Sequence, residues 1–135
     1  MNRDEMWAAF EAHGRAERAQ DLDGTMATVH ADGLWEDIAS GETWRGPAEI
    51  RRFYVDRFAS LGDWSFRRRA VHATDDHVVS EVTITGTHRG PMQGVAATGR
   101  KVTLHEIVVF SFRDGKVSGE RMYLDRLSVL RQLGR

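Results

Sequence analysis

Cysteine is absent from the 135 residues of the sequence, which excludes disulfide bonds, a thiol nucleophile and thiolate metal ligands. The formal net charge is only -1, so the chain has no broad basic field for a nucleic-acid backbone. Its apolar runs fall well short of the roughly 18 residues that a membrane span needs. The first residues, MNRDEMWAAFEAHG, lack the apolar core of a secretion signal. We therefore expect a cytoplasmic protein without nucleic-acid or membrane partners.

The composition is that of an ordinary globular protein. Hydrophobic residues make up 41% of the chain and charged residues 29%. A chain of this length can build one core that buries roughly 65–70% of the unfolded surface. We therefore expect a single domain over residues 1–135.

The first half of the chain has helical periodicity. One helix is predicted over residues 3–20, a second after an N-cap at Asp21 or Asp23, and a third from about Pro47. The side chains predicted to face inward are, in helix order, Met6, Phe10, His13 and Glu17; Leu22, Met26 and Val29; and Ile50, Phe53 and Tyr54.

The second half changes to strand patterns that are rich in Val, Ile, Thr and aromatic residues and are separated by glycine-containing turns. The pair Asp114-Gly115 predicts a hairpin. Counting back from that turn places Phe112 opposite Lys116 and Glu106 opposite Met122. One face would then collect two carboxylates among apolar neighbours, although a slip of one residue would send the whole set to the other side. The members of that face are Glu106, Val108, Phe110, Glu120 and Met122.

Three helices followed by strands favour an α+β fold in which a curved antiparallel sheet packs on the N-terminal helices as a cone. Such a cone encloses a natural pocket for a small molecule. Aromatic residues such as Trp64 are expected in the core or in the pocket wall. We also expect a homodimer that associates through the outer face of the sheet.

Several segments resemble the nuclear transport factor two-like superfamily, which includes the ketosteroid isomerases. The stretch HADGLWEDIASGETWRGPAEIRRFY is similar to its acidic strand, turn and following helix. The segments GTHRG, ATGRKV, FSFRDGKV and YLDRLSVLRQLG look like its SnoaL-like polyketide cyclase and ester cyclase group. The resemblance spans nearly the whole chain and implies the cone-shaped α+β fold. Because the superfamily hosts many reactions, it does not by itself imply one of them.

The resemblance also assigns candidate residues. Asp37 falls where ketosteroid isomerases keep their proton-shuttling aspartate, and Tyr54 matches a tyrosine of their pocket network. His13 corresponds to their oxyanion-binding tyrosine. Val108 stands where their second oxyanion donor would be, and Met122 stands where the cyclases keep a catalytic aspartate. This chain therefore lacks part of the catalytic residues of the isomerases and part of those of the cyclases.

The acidic residues have two interpretations each. Asp37, two residues after Trp35, is either a desolvated general base in a pocket or a cap for the turn that follows. Glu106 is either a pocket acid or a partner of an arginine, and the same holds for Glu120. Asp125 is either an N-cap for the helical tail or a catalytic acid, and we favour the cap.

Histidine offers one candidate site residue. His13 lies on an apolar helical stripe, where a neutral ring could donate to a substrate oxygen or serve as a core residue. The other histidines lack the spacing of a metal site, so we expect no metal and no other cofactor.

Together these residues favour an enzyme that moves a proton next to the carbonyl of a small hydrophobic molecule, as an isomerase or a cyclase does. The expected catalytic residues are Asp37 and Glu106. Two alternatives stay open: a non-catalytic ligand-binding domain, and a hydrolase whose carboxylates activate water. The residues expected to contact the substrate are His13, Trp35, Tyr54, Val108, Glu120 and Met122.

Overall fold

The computed structural model describes all 135 residues, which form four helices and six strands. In chain order these are α1 (Arg3–Arg18), α2 (Leu22–Ala27), β1 (Val29–Asp37), β2 (Thr43–Arg45), α3 (Gly46–Ser60), β3 (Ser65–Ala73), β4 (His77–Thr87), β5 (Lys101–Arg113), β6 (Lys116–Leu124) and α4 (Arg126–Gln132).

The helix starts follow from local hydrogen bonding. A capping box opens α1, because the side chain of Asn2 accepts from the backbone of Glu5 while the Glu5 carboxylate accepts from the backbone of Asn2. Asp21, and not Asp23, caps α2. The prediction that Val29 belongs to the second helix is wrong, since it is the first residue of β1. Its β-branched side chain suits the pleated sheet better than a helix interior.

All six strands join one sheet in the order β2-β1-β6-β5-β4-β3. The α+β class, with a curved sheet packed against helices, is confirmed. The prediction of a purely antiparallel sheet is wrong in one respect, because β1 runs parallel to β6. β1 lies near the start of the chain, directly after α1 and α2, and β6 lies near its end. Their pairing therefore joins two segments that are distant in sequence.

The hairpin at Asp114-Gly115 is confirmed, and both residues have positive φ angles, 54° and 75°. This is the backbone of a tight two-residue turn, which glycine adopts without strain. The predicted strand pairing is wrong by two residues. The two-residue turn places Lys116 opposite Arg113 instead of Phe112, and a bulge near Ser111 adds the second residue, so Glu106 lies opposite Leu124 instead of Met122. Because the error is an even number of residues, the predicted inward face is unchanged.

The core lies between the helices and the concave face of the sheet in two clusters. The larger one surrounds Trp35, Ile50 and Tyr54, which are essentially inaccessible to solvent. The smaller one includes Val129 and Leu133, so α4 covers the other end of the sheet. None of the helices is long and apolar enough to cross a membrane.

The preferred interpretation of Asp125 agrees with the structure. Its carboxylate accepts a hydrogen bond from the backbone of Ser128 at 3.0 Å, as the N-cap of α4. The residue does not line the pocket described below.

We expect Asp125→Ala to lower the free energy of unfolding by about 1 kcal/mol, because it removes this cap. Asp125→Asn keeps an oxygen acceptor and should retain most of the stability. Chemical denaturation of the three proteins measures the difference. A wild-type stability in Asp125→Ala would contradict the structural role.

Candidate functional site

A pocket opens between α1, α3 and the concave face of the sheet. It has about 560 Å³ of empty space when its open mouth is included, and 17 residues line it. Nine of them are hydrophobic, among them Phe53, Trp64, Val108 and Met122. The ionisable side chains of the pocket are His13, Glu17, Arg57, Arg68, Glu106 and Glu120. An apolar cavity with a few convergent polar groups is the usual form of a small-molecule site.

Two helices and two strands position five of these ionisable groups. His13 and Glu17 lie one turn apart on α1 and therefore share a face. Arg57 extends from α3, one turn beyond Phe53. The strands contribute Glu106 from β5 and Glu120 from β6, both at inward positions of the pleat and only 6% and 4% exposed.

The imidazole of His13 sits between two carboxylates. Its Nε2 lies 2.8 Å from Glu17 Oε1 and 3.7 Å from Glu120 Oε2. Its Nδ1 lies 2.7 Å from the hydroxyl of Thr28, which donates its own proton to the carbonyl of Thr25. That hydroxyl therefore accepts from Nδ1, so the Nδ1 of His13 carries a hydrogen and Nε2 faces the acids.

The two carboxylates keep His13 charged. Burial alone would lower the pKa of His13, but attraction to Glu17 and the contacts with Glu120 raise it to about 10. The side chain is 1% exposed, so this is a buried imidazolium paired with acid groups. A neutral histidine donor, as the sequence suggested, does not fit this arrangement.

Tyr54 connects the pocket to the core behind it. Its hydroxyl donates to Glu120 Oε2 at 2.8 Å and accepts from Trp35 Nε1 at 3.0 Å. Burial, together with the nearby charge of Glu120, raises the pKa of Tyr54 above its usual range, so it remains a phenol. Glu120 also has a raised pKa, because burial outweighs the opposing effects of the nearby His13 imidazolium and the hydrogen bond from Tyr54.

Glu106 belongs to a second buried ion pair. Its Oε2 lies 3.5 Å from Nη2 of Arg57. Burial raises the pKa of Glu106 to about 6, even though the attraction of Arg57 opposes the change. Arg57 stays charged: burial alone would lower its pKa, but the combined attraction of Glu106 and the other nearby acidic groups raises it.

Arg68 closes the pocket on the side of β3. Its guanidinium donates to Glu11 at 2.9 Å and lies 4.3 Å from the centre of the Phe10 ring. A Cβ atom at Gly14 would collide with Arg68 Nη2. Glycine inside a helix costs roughly 1 kcal/mol relative to alanine, and here its missing side chain makes room for this guanidinium.

One group in the structure has the ligand types for a metal ion. The ligand atoms of His13, Glu17 and Glu120 lie within 4.8 Å of one another. The proton on His13 Nε2 already links the imidazole to Glu17, and Tyr54 already donates to Glu120. These contacts satisfy the three groups without an ion.

Five of the residues proposed from the sequence come together in the pocket: His13, Glu106, Val108, Glu120 and Met122. Trp35 and Tyr54 lie behind its wall and not on it, because their polar atoms bond each other in the core.

The expectation that Asp37 faces the pocket is wrong. Its carboxylate accepts from the backbone N–H groups of Ala39 and Ser40, at 3.1 and 3.4 Å, and the residue is partly exposed. β1 ends at Asp37, so the carboxylate caps the turn to β2. This is the alternative interpretation of that residue.

Two functional candidates, Glu17 and Arg57, were not assigned to the site from the sequence. Glu17 lies on the same helical stripe as His13, so helical periodicity alone could have placed it in the site. Arg57 continues the stripe of Ile50 and Tyr54 by one more turn, and a charged residue on a buried stripe is itself a signal.

The comparison with protein families agrees with this geometry. The family model of SnoaL-like polyketide cyclases matches residues 8–133. The chain belongs to the SnoaL-like polyketide cyclase family. Among curated proteins, no sequence matches this SnoaL-like chain significantly.

Solved structures share the fold of this SnoaL-like protein. A proposed SnoaL-like polyketide cyclase from Jannaschia sp. CCS1 is 22% identical, with a TM-score of 0.85 over 97% of this chain and 92% of that one. A protein with a ketosteroid isomerase-like fold from Catenulispora acidiphila DSM 44928 is 20% identical, with a TM-score of 0.76 over 93% and 92%. An LEH-like epoxide hydrolase from M. tuberculosis has the same identity of 20% and TM-score of 0.76 over 98% and 91%. At these identities the likeness concerns the fold alone.

We expect the ring of His13 to remain protonated on both nitrogens between about pH 6 and pH 8, where an unperturbed histidine titrates. Side-chain NMR should place its midpoint near 10. Since this pKa is raised above the ordinary histidine value of 6.5, His13 contributes stability below about pH 6.5 that is lost as the pH rises toward 10.

Matched variants separate the causes of this shift. Glu17→Gln removes the nearest anion and should lower the midpoint of His13, whereas Glu11→Gln, whose carboxylate pairs with Arg68, should leave it unchanged. A neutral His13 ring in the wild-type protein at neutral pH would contradict the assignment.

Proposed function

We propose that this protein is an enzyme that removes a proton next to the carbonyl group of a small hydrophobic molecule, and that Glu106 is the general base. The observation that carries the proposal is the position of Glu106, a buried carboxylate in the wall of an apolar pocket. Asp37 has no part in this mechanism, because its carboxylate caps a turn.

The protonation behaviour of Glu106 suits that role. A general base works best when its pKa is near the operating pH. Burial raises the pKa of Glu106 to about 6, so it is ionised at neutral pH and yet more basic than a carboxylate in water. The aromatic walls around it favour a flat apolar substrate and exclude water, which strengthens the electrostatic contacts inside.

The first chemical step is the same for an isomerase and a cyclase. The Glu106 carboxylate takes the proton from the carbon next to the carbonyl, and the electron pair of that C–H bond moves into an enolate. If the substrate is a β,γ-unsaturated ketone, the enolate is a dienolate, and return of the proton by Glu106 to the γ-carbon moves the double bond into conjugation. If the enolate carbon attacks a second carbonyl, a ring closes, and the new alkoxide takes the proton.

We expect Glu106→Gln to lower deuterium exchange at the α-carbon of hydrophobic cyclic ketones, such as β-tetralone, by about 10²–10⁴-fold. Proton NMR in D₂O measures the rate. The matched control is Asp37→Asn, which should exchange at the wild-type rate.

The pH dependence has a definite sign. Because the base must be ionised, the wild-type rate should rise with pH through a midpoint near 6 and level off above it. Unchanged exchange in Glu106→Gln would contradict the assignment of Glu106 as the base. Ketones that bind without any catalysed exchange would leave a ligand-binding domain as the function.

We also propose that two copies associate through the outer face of the sheet. Ile107 and Tyr123 are opposite each other on β5 and β6, on the side away from Glu106, and are 43% and 46% exposed. Exposed apolar pairs of this kind favour an interface between copies.

Sedimentation velocity should give twice the mass of the chain for the wild-type protein. Tyr123→Glu should shift it to the mass of a single chain, because a carboxylate would be desolvated at the interface. A monomeric wild-type protein, or a dimer that Tyr123→Glu does not dissociate, argues against an interface on the outer face of the sheet.

A further inference from the structure

Arg57 is the one cation of the pocket with few protein partners. Its side chain is 18% exposed, and its guanidinium lies 5.4 and 5.9 Å from the ring centres of Phe53 and Trp64. The single carboxylate contact, to Glu106, is 3.5 Å long. Removing a charged guanidinium from water is expensive unless hydrogen bonds replace the lost hydration.

The donors of Arg57 remain available. A guanidinium carries five N–H donors in a fixed plane, and in Arg57 no protein acceptor engages them at a short distance. Arg68, on the opposite wall, differs because it donates to Glu11 at 2.9 Å. The side-chain polar atoms that are fully shielded and without a partner are Trp64 Nε1, His88 Nε2 and Gln93 Oε1. The nitrogens of Arg57 are not among them, and Arg57 lines the pocket.

The donors expected to compete most strongly for a substrate oxygen are already engaged. His13 Nε2 faces Glu17 at 2.8 Å. The hydroxyl of Tyr54 donates to Glu120, and it lies behind the pocket wall. An oxygen that gains negative charge in the pocket therefore has Arg57 as its available strong donor.

We propose that Arg57 is a catalytic residue that donates to the carbonyl oxygen of the substrate and stabilises the enolate formed there. This inference rests on the proposed function, and it specifies a substrate whose carbonyl reaches the guanidinium while its α-carbon reaches Glu106. Preorganised donors aimed at developing charge are usually the largest single contribution to such a reaction.

The charges balance in this step. Before the reaction, the negative charge lies on the Glu106 carboxylate, next to Arg57. When Glu106 takes the proton, it becomes neutral, and the electron pair of the C–H bond places the charge on the substrate oxygen. The net charge around Arg57 stays the same, so a charge moves over a short distance and none is created in the apolar pocket.

A simpler role for Arg57 would be to keep Glu106 ionised. The pH profile of deuterium exchange separates the two roles. Arg57→Gln should raise the pKa of Glu106, because it removes the attraction that lowers it. If Arg57 only ionises Glu106, the variant regains the wild-type rate at alkaline pH. If Arg57 also stabilises the enolate, its plateau stays about 10²–10³-fold below the wild type at every pH.

The experiment uses β-tetralone as the probe and follows its exchange in D₂O across the pH range. Arg51→Gln is the control, since Arg51 lies on the same helix but pairs with Asp23 outside the pocket. Carbon-13 NMR of the Glu106 carboxyl follows its titration without substrate. Arg57→Lys keeps the charge but loses the planar fork, so we expect an intermediate plateau; this variant decides the matter if Arg57→Gln does not fold.

Each result has a separate meaning. Exchange that survives Glu106→Gln refutes the proposed function itself. Exchange that depends on Glu106 but recovers fully in Arg57→Gln, or equals the wild type in Arg57→Lys, overturns only the role of Arg57. A plateau that stays low while the Glu106 titration is complete supports it.

Discussion

The hydroxyl of Tyr54 is the contact on which the site depends. It joins α3 to the sheet by accepting from Trp35 and donating to Glu120 in a region without solvent. Removing it would leave a buried indole N–H without an acceptor and a buried carboxyl without its hydrogen-bond donor at 2.8 Å, and each such loss costs about 1–3 kcal/mol. The same oxygen fixes Glu120 beside His13. One atom therefore supports both the packing of α3 on the sheet and the arrangement of charges in the pocket.

The two inward carboxylates of the hairpin have different surroundings and therefore different chemistry. Glu120 is held by neutral and cationic donors from two helices, whereas Glu106 has one long contact with Arg57. A carboxylate that is tightly held is a poor base, because its lone pairs are occupied. The less constrained carboxylate is the one that can move to meet a substrate, and the apolar walls around it keep its basicity high.

The local sequence pattern predicted the features that depend on local physics. Helical faces, the Asp114-Gly115 turn and the inward face of β5 and β6 follow from periods and turn preferences, and the face tolerated a pairing error of two residues because strand sides alternate. The parallel pairing of β1 with β6 could not be predicted, since strand direction is decided by distant packing. Asp37 was misplaced because the pattern cannot tell whether a strand's last residue continues into the pocket or turns back to bond its own backbone.

The parallel neighbours β1 and β6 also constrain how the chain reaches this structure. β1 and its short neighbour β2 are complete early in synthesis, but β6, the other partner of β1, is the last strand to emerge, and Trp35 and Glu120 are aligned in that late pairing. Pairings between residues so far apart in sequence form slowly, because closing the long loop between them costs conformational entropy. Until then the edge of β1 that later pairs with β6 has unpaired backbone groups, so the final hairpin removes an exposed edge that could pair with another chain.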